Sequence, residues 1–247
     1  LNGIMGFAEL LKKENISRAK RVKFINIIVK NGKHLLHIIN DLIDISKVET
    51  GRIEVHYDTI NINEELKNLN TFFKPEAETK GLEISFYTPL PDEKANITTD
   101  YEKFQSIWIN LIKNAIKYTN EGHIKFGYEL EDNQLRCYVE DTGIGISAKD
   151  KATIFDHFVQ VEQKTTKSQE GTGLGLAIAK AYIELLGGKM SLDSEEDKGS
   201  RFSFTIPLTY KSTENNNLEE EQVEDSSISF RGGKILIVED DLTSQEY

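Results

Sequence analysis

The sequence is short of three things. It has a single cysteine, Cys137, among 247 residues, which excludes an intrachain disulfide and a Cys-based zinc site. Its neighbours Leu135, Tyr138 and Val139 read as strand, so Cys137 is expected to be a buried structural thiol and the compartment a reducing one. No run approaches the ~20 apolar residues of a membrane-spanning helix, and no signal peptide is visible. Basic charge is scarce: 30 Lys and Arg stand against 41 Asp and Glu, a net charge of −11. So acidic a surface argues against DNA or an anionic membrane face as the main partner. It leaves room for a nucleotide, which can bind through a local positive spot and Mg²⁺.

What is there falls into four stretches. Ile4, Phe7, Leu10 and Leu11 recur at helical spacing, and Asn15-Ile-Ser17 breaks that helix. A long helix is predicted over 18–47, where Ile25, Ile28, Gly32, Leu35, Ile39, Leu42 and Ser46 step by three and four. Val29, Leu36 and Ile43 mark a second apolar line. Two lines on one helix demand more than one neighbour, as in a four-helix bundle, so two helices per chain predict a dimer through residues 1–50. Gly51 closes the helix.

The next 160 residues alternate strands and helices. The pattern predicts a strand at 53–55, a helix over 62–80 capped by Asn61 or Asn63, and a strand over 82–87. Asp100 opens a helix running to about Tyr118, and a hairpin follows over 123–130 and 134–140. Residues 141–171 read as irregular, 173–186 as a helix, and 189–193 and 200–207 as two more strands. The simplest packing is α+β: a helical hairpin, then a two-layer α/β sandwich with a mixed sheet and its helices on one face. Residues 211–231 are Glu- and Ser-rich without periodicity, a solvated linker. Lys234-Ile-Leu-Ile-Val238 then reads as a buried strand ending in Glu239-Asp240-Asp241.

Four elements carry chemistry. In Asn110-Leu-Ile-Lys-Asn114-Ala-Ile-Lys117-Tyr118, the two asparagines share a helix face, and amide oxygens suit a hard cation such as Mg²⁺. Asp141-Thr-Gly143-Ile-Gly145 puts an acid at a strand end beside glycines that let backbone approach a flat ligand. Its carboxylate can accept from an exocyclic amine such as adenine's. Ile154-Phe155-Asp-His-Phe158 spaces two aromatics three apart, which by itself suggests core packing. Glu170-Gly171-Thr172-Gly173-Leu174-Gly175 opens a helix, whose N-terminus favours anions. It is neither a P-loop, since no Gly-Lys-Ser/Thr follows, nor a dinucleotide fingerprint, since no strand directly precedes it.

In this order and spacing the four elements resemble the N box, first glycine box, F box and second glycine box of sensor histidine kinases, within the ATPase superfamily that includes DNA gyrase and MutL. The resemblance covers about residues 1–210. It implies ATP and Mg²⁺ as ligands: Asn114 as the Mg²⁺ ligand supported by Asn110, Lys117 and Tyr118 as nucleotide contacts, and Asp141 with Gly143 and Gly145 at the adenine. Gly171, Thr172, Gly173, Leu174 and Gly175 would cradle phosphate. Lys167, in the segment resembling the ATP lid, stands where many relatives carry Arg. Leu1-Asn-Gly-Ile resembles the stretch just after the phosphoacceptor box, so the acceptor histidine is expected before Leu1, with His34 and His37 as less suited candidates. His56, His123 and His157 are expected in surface or packing roles.

The stretch 232–247 resembles the start of a receiver domain, with Glu239 and Asp240 as its Mg²⁺ pocket. The implied organisation is a partial dimerisation hairpin (1–50), an ATP-binding domain (51–210), a linker (211–231) and a first receiver strand (232–247). The implied protein is the cytoplasmic portion of a bacterial inner-membrane-anchored sensor, partnered by a homodimer copy and by a receiver of the same or another protein. Two rivals remain at this stage: an ATPase clamp of the gyrase or MutL type, and a non-catalytic dimerisation and signalling module.

Overall fold

A computed structural model describes residues 2–13, 16–131, 134–159 and 172–208. The chain divides into two units, Leu1–Lys211 and Ser212–Tyr247. The second, with the linker and the expected receiver strand, lies outside the described residues.

Helix α1 (Asn2–Leu11) and helix α2 (Arg18–Glu49) form an antiparallel hairpin. Ser17 caps α2 by accepting from Lys20 N, and Phe7 meets Phe24 with ring centroids 5.2 Å apart. Residues 52–57 then run without regular structure, which corrects the strand expected at 53–55. The strand is β1 (Asp58–Asn61), whose antiparallel partner is β3 (Asn96–Thr99). Lying after Pro89 and Pro91 in a stretch read as loop, β3 is too short and polar to show a core-facing alternation in sequence.

The sandwich follows the expected order. Helix α3 (Ile62–Thr79) starts at Asn61, whose side chain accepts from Asn63 N and Glu64 N. Strand β2 (Glu83–Tyr87) leads through β3 to α4 (Tyr101–Tyr118), then the hairpin β4 (His123–Glu131) and β5 (Gln134–Asp141), helix α5 (Gly175–Leu185), and β6 (Met190–Glu195) with β7 (Gly199–Pro207). One sheet has the order β2-β4-β5-β7-β6, parallel between β2 and β4 and antiparallel elsewhere.

Period-2 alternation sends Ile124, Phe126 and Tyr128 of β4, Leu135, Cys137 and Val139 of β5, and Phe202, Phe204 and Ile206 of β7 into one core with the helices. Trp108 of α4 sits at its centre, edge-on to Phe104, Phe126 and Phe204. Cys137 is free and fully buried, and burial pushes its thiol up, as befits an inert structural residue. At the start of α4 the Asp100 side chain accepts from Lys103 N and His56 N and pairs with the Lys103 ammonium at 2.6 Å. Burial raises this carboxyl, but the bonds from Lys103 and His56 outweigh it and hold it below the ordinary range. The α4 start and the 52–57 segment are thereby tied together. No helix among the described residues is long and apolar enough to cross a membrane.

Candidate functional site

One cleft brings together the end of α4, the loop after β5, the start of α5 and the edge of β7. Asn114 and Tyr118 come from α4, and Asp141, Ile144, Gly145 and Ile146 from β5 and its loop. Ile154, Val159, Leu176, Ser200 and Phe202 complete the walls. These walls are mainly apolar with a few polar groups among them, the usual make-up of a small-molecule site.

Asp141 is its principal charged group. It ends β5, is only 7% exposed, and accepts from Gly143 N at 2.8 Å. Burial raises its carboxyl to about 6, although bonds from the Gly143 and Ser200 backbones pull the other way. A dehydrated carboxylate with a lone pair left over is a strong acceptor for an amine donor.

The glycines beside it are sterically required. A Cβ on Gly143 would lie 2.4 Å from Tyr118 O, and one on Gly145, whose φ is 62°, would lie 1.9 Å from Glu195 O. The loop is pinned from outside as well: Ile144 N bonds to Tyr118 O, Ile146 N to Ser194 Oγ, and Asp197 N to Ile144 O. A strand end, a helix end and the β6–β7 turn thus fix one short segment of backbone.

The other expected residues divide by where the fold puts them. Asn114, Tyr118, Asp141 and Gly145 line the cleft. Asn110, one turn before Asn114, donates to Ser106 O at 3.0 Å, and its Oδ1 would lie 2.8 Å from a Cβ on Gly175. Gly175 thus lets α5 approach α4 closely at Asn110. The Lys117 ammonium lies over the Tyr118 ring at 4.7 Å.

At the start of α5, Thr172 Oγ1 accepts from Leu174 N and reaches Asp41 Oδ2 of α2 at 3.5 Å. Gly173 takes φ 72° and its carbonyl accepts from Phe158 N, while Leu174 is fully buried. Of the two spaced aromatics, Phe155 packs half-buried against the core, but Phe158 is 59% exposed at a φ of 63°. The core role the spacing suggests holds for Phe155 alone, while Phe158, whose backbone N–H donates to Gly173 O, leaves its ring exposed. Lys167, Gly171, Glu239 and Asp240 lie outside the described residues, as do the side chains of His34 and His37.

Sequence reasoning missed the apolar walls. Nothing in the sequence marks Ile144, Ile146, Ile154, Leu176 and Phe202 as cleft walls, and only the fold brings them together with Asp141. Ser200 and Ser194 had a faint signal, hydroxyls at the ends of paired strands, where they support the loop (Ser194 Oγ to Ser200 Oγ is 3.0 Å). Among the described residues no cluster of three or more His, Cys, Asp or Glu side chains could hold a metal ion.

Comparison with known proteins bears on this geometry. The family described as "Histidine kinase-, DNA gyrase B-, and HSP90-like ATPase" matches residues 99–210, and the "His Kinase A (phospho-acceptor) domain" matches residues 1–51. The autoinducer 2 sensor kinase/phosphatase LuxQ of Vibrio vulnificus is 34% identical over 99% of this chain, which spans 29% of LuxQ. Full-length ShkA, solved with AMPPNP, superposes with a TM-score of 0.68 at 29% identity, covering 84% of this chain and 43% of ShkA. The histidine kinase ThkA in complex with the response regulator TrrA superposes at 0.64 and 27% identity, covering 83% of this chain and 57% of ThkA. The isolated ThkA catalytic domain gives a TM-score of 0.54 over 62% of this chain. Because 97% of that domain is matched at 32% identity, with the phospho-acceptor-type hairpin preceding it here, the chain belongs to the sensor histidine kinase family.

Proposed function

We propose that the cleft binds ATP with Mg²⁺ and that the ATP γ-phosphoryl is passed to a histidine nitrogen in two-component signalling. The observation that carries this reading is Asp141: a buried carboxylate in an apolar slot, flanked by two glycines whose Cβ positions are already taken by backbone. A flat base fits against such backbone, and the carboxylate accepts from the adenine amine. Tyr118 and the isoleucines lining the cleft would give the ring apolar contact. Asn114 offers an amide oxygen on the same cleft, a donor suited to Mg²⁺, which takes few protein ligands and keeps water or phosphate oxygens. Bound there, Mg²⁺ would neutralise phosphate charge, which with positioning is most of what phosphoryl transfer requires. Lys117, the Thr172–Gly175 turn, and Gly171 and Lys167 before it supply N–H groups and positive charge toward the phosphates. ShkA, solved with an ATP analogue, gives the reading a precedent.

In this reading residues 1–50 pair with a second copy, 51–210 hold the nucleotide, 211–231 link, and 232–247 begin a receiver whose Glu239 and Asp240 bind Mg²⁺. A receiver of the same or another protein takes the phosphoryl group, as the ThkA complex with a response regulator suggests. Leu1-Asn-Gly-Ile resembles the stretch that follows a phosphoacceptor box, so in this reading neither His34 nor His37 is the acceptor.

Calorimetric titration with AMPPNP and Mg²⁺, in competition with the guanine analogue, tests the site. Asp141→Asn should weaken AMPPNP by about 1.5–3 kcal/mol, the worth of a charge-assisted hydrogen bond, and erase the preference for adenine; unchanged affinity sinks the proposal. Incubated with labelled ATP, the 247-residue chain should gain no acid-labile phosphate. Label that disappears in His34→Ala or His37→Ala would make α2 the acceptor helix.

A further inference from the structure

The carboxyl end of α4 is held in an unusual way. A helix leaves its last four carbonyls without intrahelical donors, and here each finds a partner. Ala115 O accepts from Thr119 N and Oγ1, at 3.1 and 2.7 Å. Ile116 O accepts from the Lys80 ammonium at 2.7 Å, and Lys117 O from the same ammonium at 3.3 Å. Tyr118 O accepts from Ile144 N at 3.2 Å. The second and third carbonyls thus depend on one side chain from another helix.

Lys80 is well placed for this. It is the C-cap residue of α3, with its own N–H bonded to Ala77 O, and Gly81 at φ 75° turns the chain directly into β2. Glu83 N then bonds to Gly122 O, beside the start of β4. The lysine therefore reaches from an anchored backbone to the negative end of the α4 dipole, where a cation is favoured. It is not among the residues lining the cleft.

The fourth carbonyl shows why the position of this turn matters. Tyr118 O is the seat of the Asp141–Gly145 loop: it receives Ile144 N, and a Cβ on Gly143 would come within 2.4 Å of it. Such packing has no slack. A shift of a few tenths of an ångström at the end of α4 moves the loop carrying Asp141 as well as Tyr118 and Asn114, so opposite walls of the cleft share one support.

We infer that Lys80 is a positioning residue for nucleotide binding, whose ammonium fixes the last turn of α4 and through Tyr118 O sets the height of the Asp141–Gly145 loop. The inference rests on the reading of the cleft as an ATP site. The competing account is an ordinary helix cap, which would affect stability and leave the cleft unchanged.

The experiment compares the 247-residue chain with Lys80→Met, Lys80→Gln and Lys80→Arg, measuring AMPPNP·Mg²⁺ affinity by calorimetry, melting temperature, and amide hydrogen exchange at Ile144 and Thr119. Lys80→Met should weaken AMPPNP by up to about tenfold, the ceiling set by the charge-assisted bond removed from the end of α4, and speed exchange at Ile144. Lys80→Arg should return the affinity to within about threefold, because a guanidinium keeps the charge and the donors. Lys80→Gln, which keeps a neutral donor, should fall between and replaces Lys80→Met if that variant does not fold. A lower melting temperature with unchanged affinity and unchanged Ile144 exchange would make Lys80 a cap and overturn the inference. Equal losses in Lys80→Arg and Lys80→Met would overturn it too. If the unaltered chain itself does not bind AMPPNP, the nucleotide reading fails, while Ile144 exchange still decides whether Lys80 sets the loop.

Discussion

The helical hairpin and the sandwich spend their apolar residues in opposite ways. In the sandwich, nearly every large apolar side chain on a core-facing position is buried, with Trp108, Phe104, Phe126 and Phe204 interlocked. In α2, Val22, Ile25, Val29, Leu36, Ile39, Leu42 and Ile43 are each more than 40% exposed, while the two described side chains that are buried are Asp41 and Ile45. The same periodicity that makes α3 and α4 fold against a sheet leaves α2 facing outward along most of its length. The sandwich completes itself within one chain, whereas α2 leaves its apolar side chains exposed, the ones through which we propose that a second copy pairs. Asp41 and Ile45 mark where the two regions meet: Asp41 Oδ2 faces Thr172, and Tyr182 of α5 bonds to Asp44 one turn further on. Burial raises the Tyr182 hydroxyl well above its ordinary range, and the neighbouring Asp44 adds to the rise.

The largest effect should come from cutting the closed core. Phe204→Ala removes a ring 1% exposed and packed against Trp108 at 5.2 Å, at a cost of about 3–5 kcal/mol. Trp108 is the only tryptophan, so urea unfolding followed by its fluorescence reports the sandwich directly. The loss should be the same at any protein concentration. A dependence on concentration would mean that the sandwich, too, needs a partner.

The hairpin should answer the opposite way. Leu36→Glu with Ile39→Glu places one charge on each of the two exposed apolar lines, where each carboxylate would have to be buried for a second copy to pair. Sedimentation at micromolar concentration should show association weakened by at least about tenfold, while the Trp108 transition stays in place. If the unaltered chain is monomeric at every concentration, the apolar line of α2 has some other occupant and the dimer proposal falls.

How legible these two regions were in the sequence depends on the same contrast. Helices α2, α3 and α4 announced themselves because their periodicity is local and Asn61 and Asp100 sit at their starts as caps. The four motifs were legible because each is a contiguous string, whereas the close approach of Gly175 to Asn110 was not, being a contact between two helices far apart in sequence. The strand expected at 53–55 was misplaced because Ile53 and Val55 alternate like a strand but pack against the core without a partner strand. Pairing, which decides a strand, is non-local. Lys80 and the apolar walls of the cleft were invisible for that reason too: nothing near Lys80 in sequence shows that its ammonium meets Ile116 O.

A smaller and pH-dependent effect separates site from core within the sandwich. Burial raises the Asp141 carboxyl from 3.8 to about 6, so the folded chain holds that proton more tightly than the unfolded one. Its contribution to stability is therefore full below the unfolded value and declines as pH rises through about 6. The deficit above that approaches 3 kcal/mol, roughly two pH units at about 1.4 kcal/mol each. An amide escapes the charge penalty, and part of the gain is offset because its NH₂ cannot accept a backbone N–H. Asp141→Asn should thus be more stable than the unaltered chain by about 1–2 kcal/mol at pH 7.5, with the difference gone near pH 4, even as it loses nucleotide. Urea midpoints at the two pH values decide this, and a destabilised variant at pH 7.5 would show that the carboxylate's hydrogen bonds outweigh its burial.

The smallest effect sharpens the comparison, because it sets the same device in both regions. Ser17 and Asn61 each cap a helix by accepting a backbone N–H from its first turn. Ser17 Oγ makes one bond, to Lys20 N, at 3.4 Å and on the exposed side. Asn61 Oδ1 accepts from both Asn63 N and Glu64 N at 3.1 and 3.2 Å, and its Nδ2 donates to Asp92 O and Asn96 Oδ1 at 2.8 and 3.1 Å. The first cap serves only its own helix, whereas the second also ties α3 to the turn before β3. Replacement of a cap by alanine costs about 0.5–2 kcal/mol. Asn61→Ala should lie at the upper end and move the Trp108 transition. Ser17→Ala should lie at the lower end, reduce helical circular dichroism slightly on warming, and leave that transition untouched. Equal shifts of the Trp108 signal in the two variants would mean that hairpin and sandwich unfold as one cooperative unit, with Asp41, Asp44 and Ile45 binding them more tightly than their few contacts suggest.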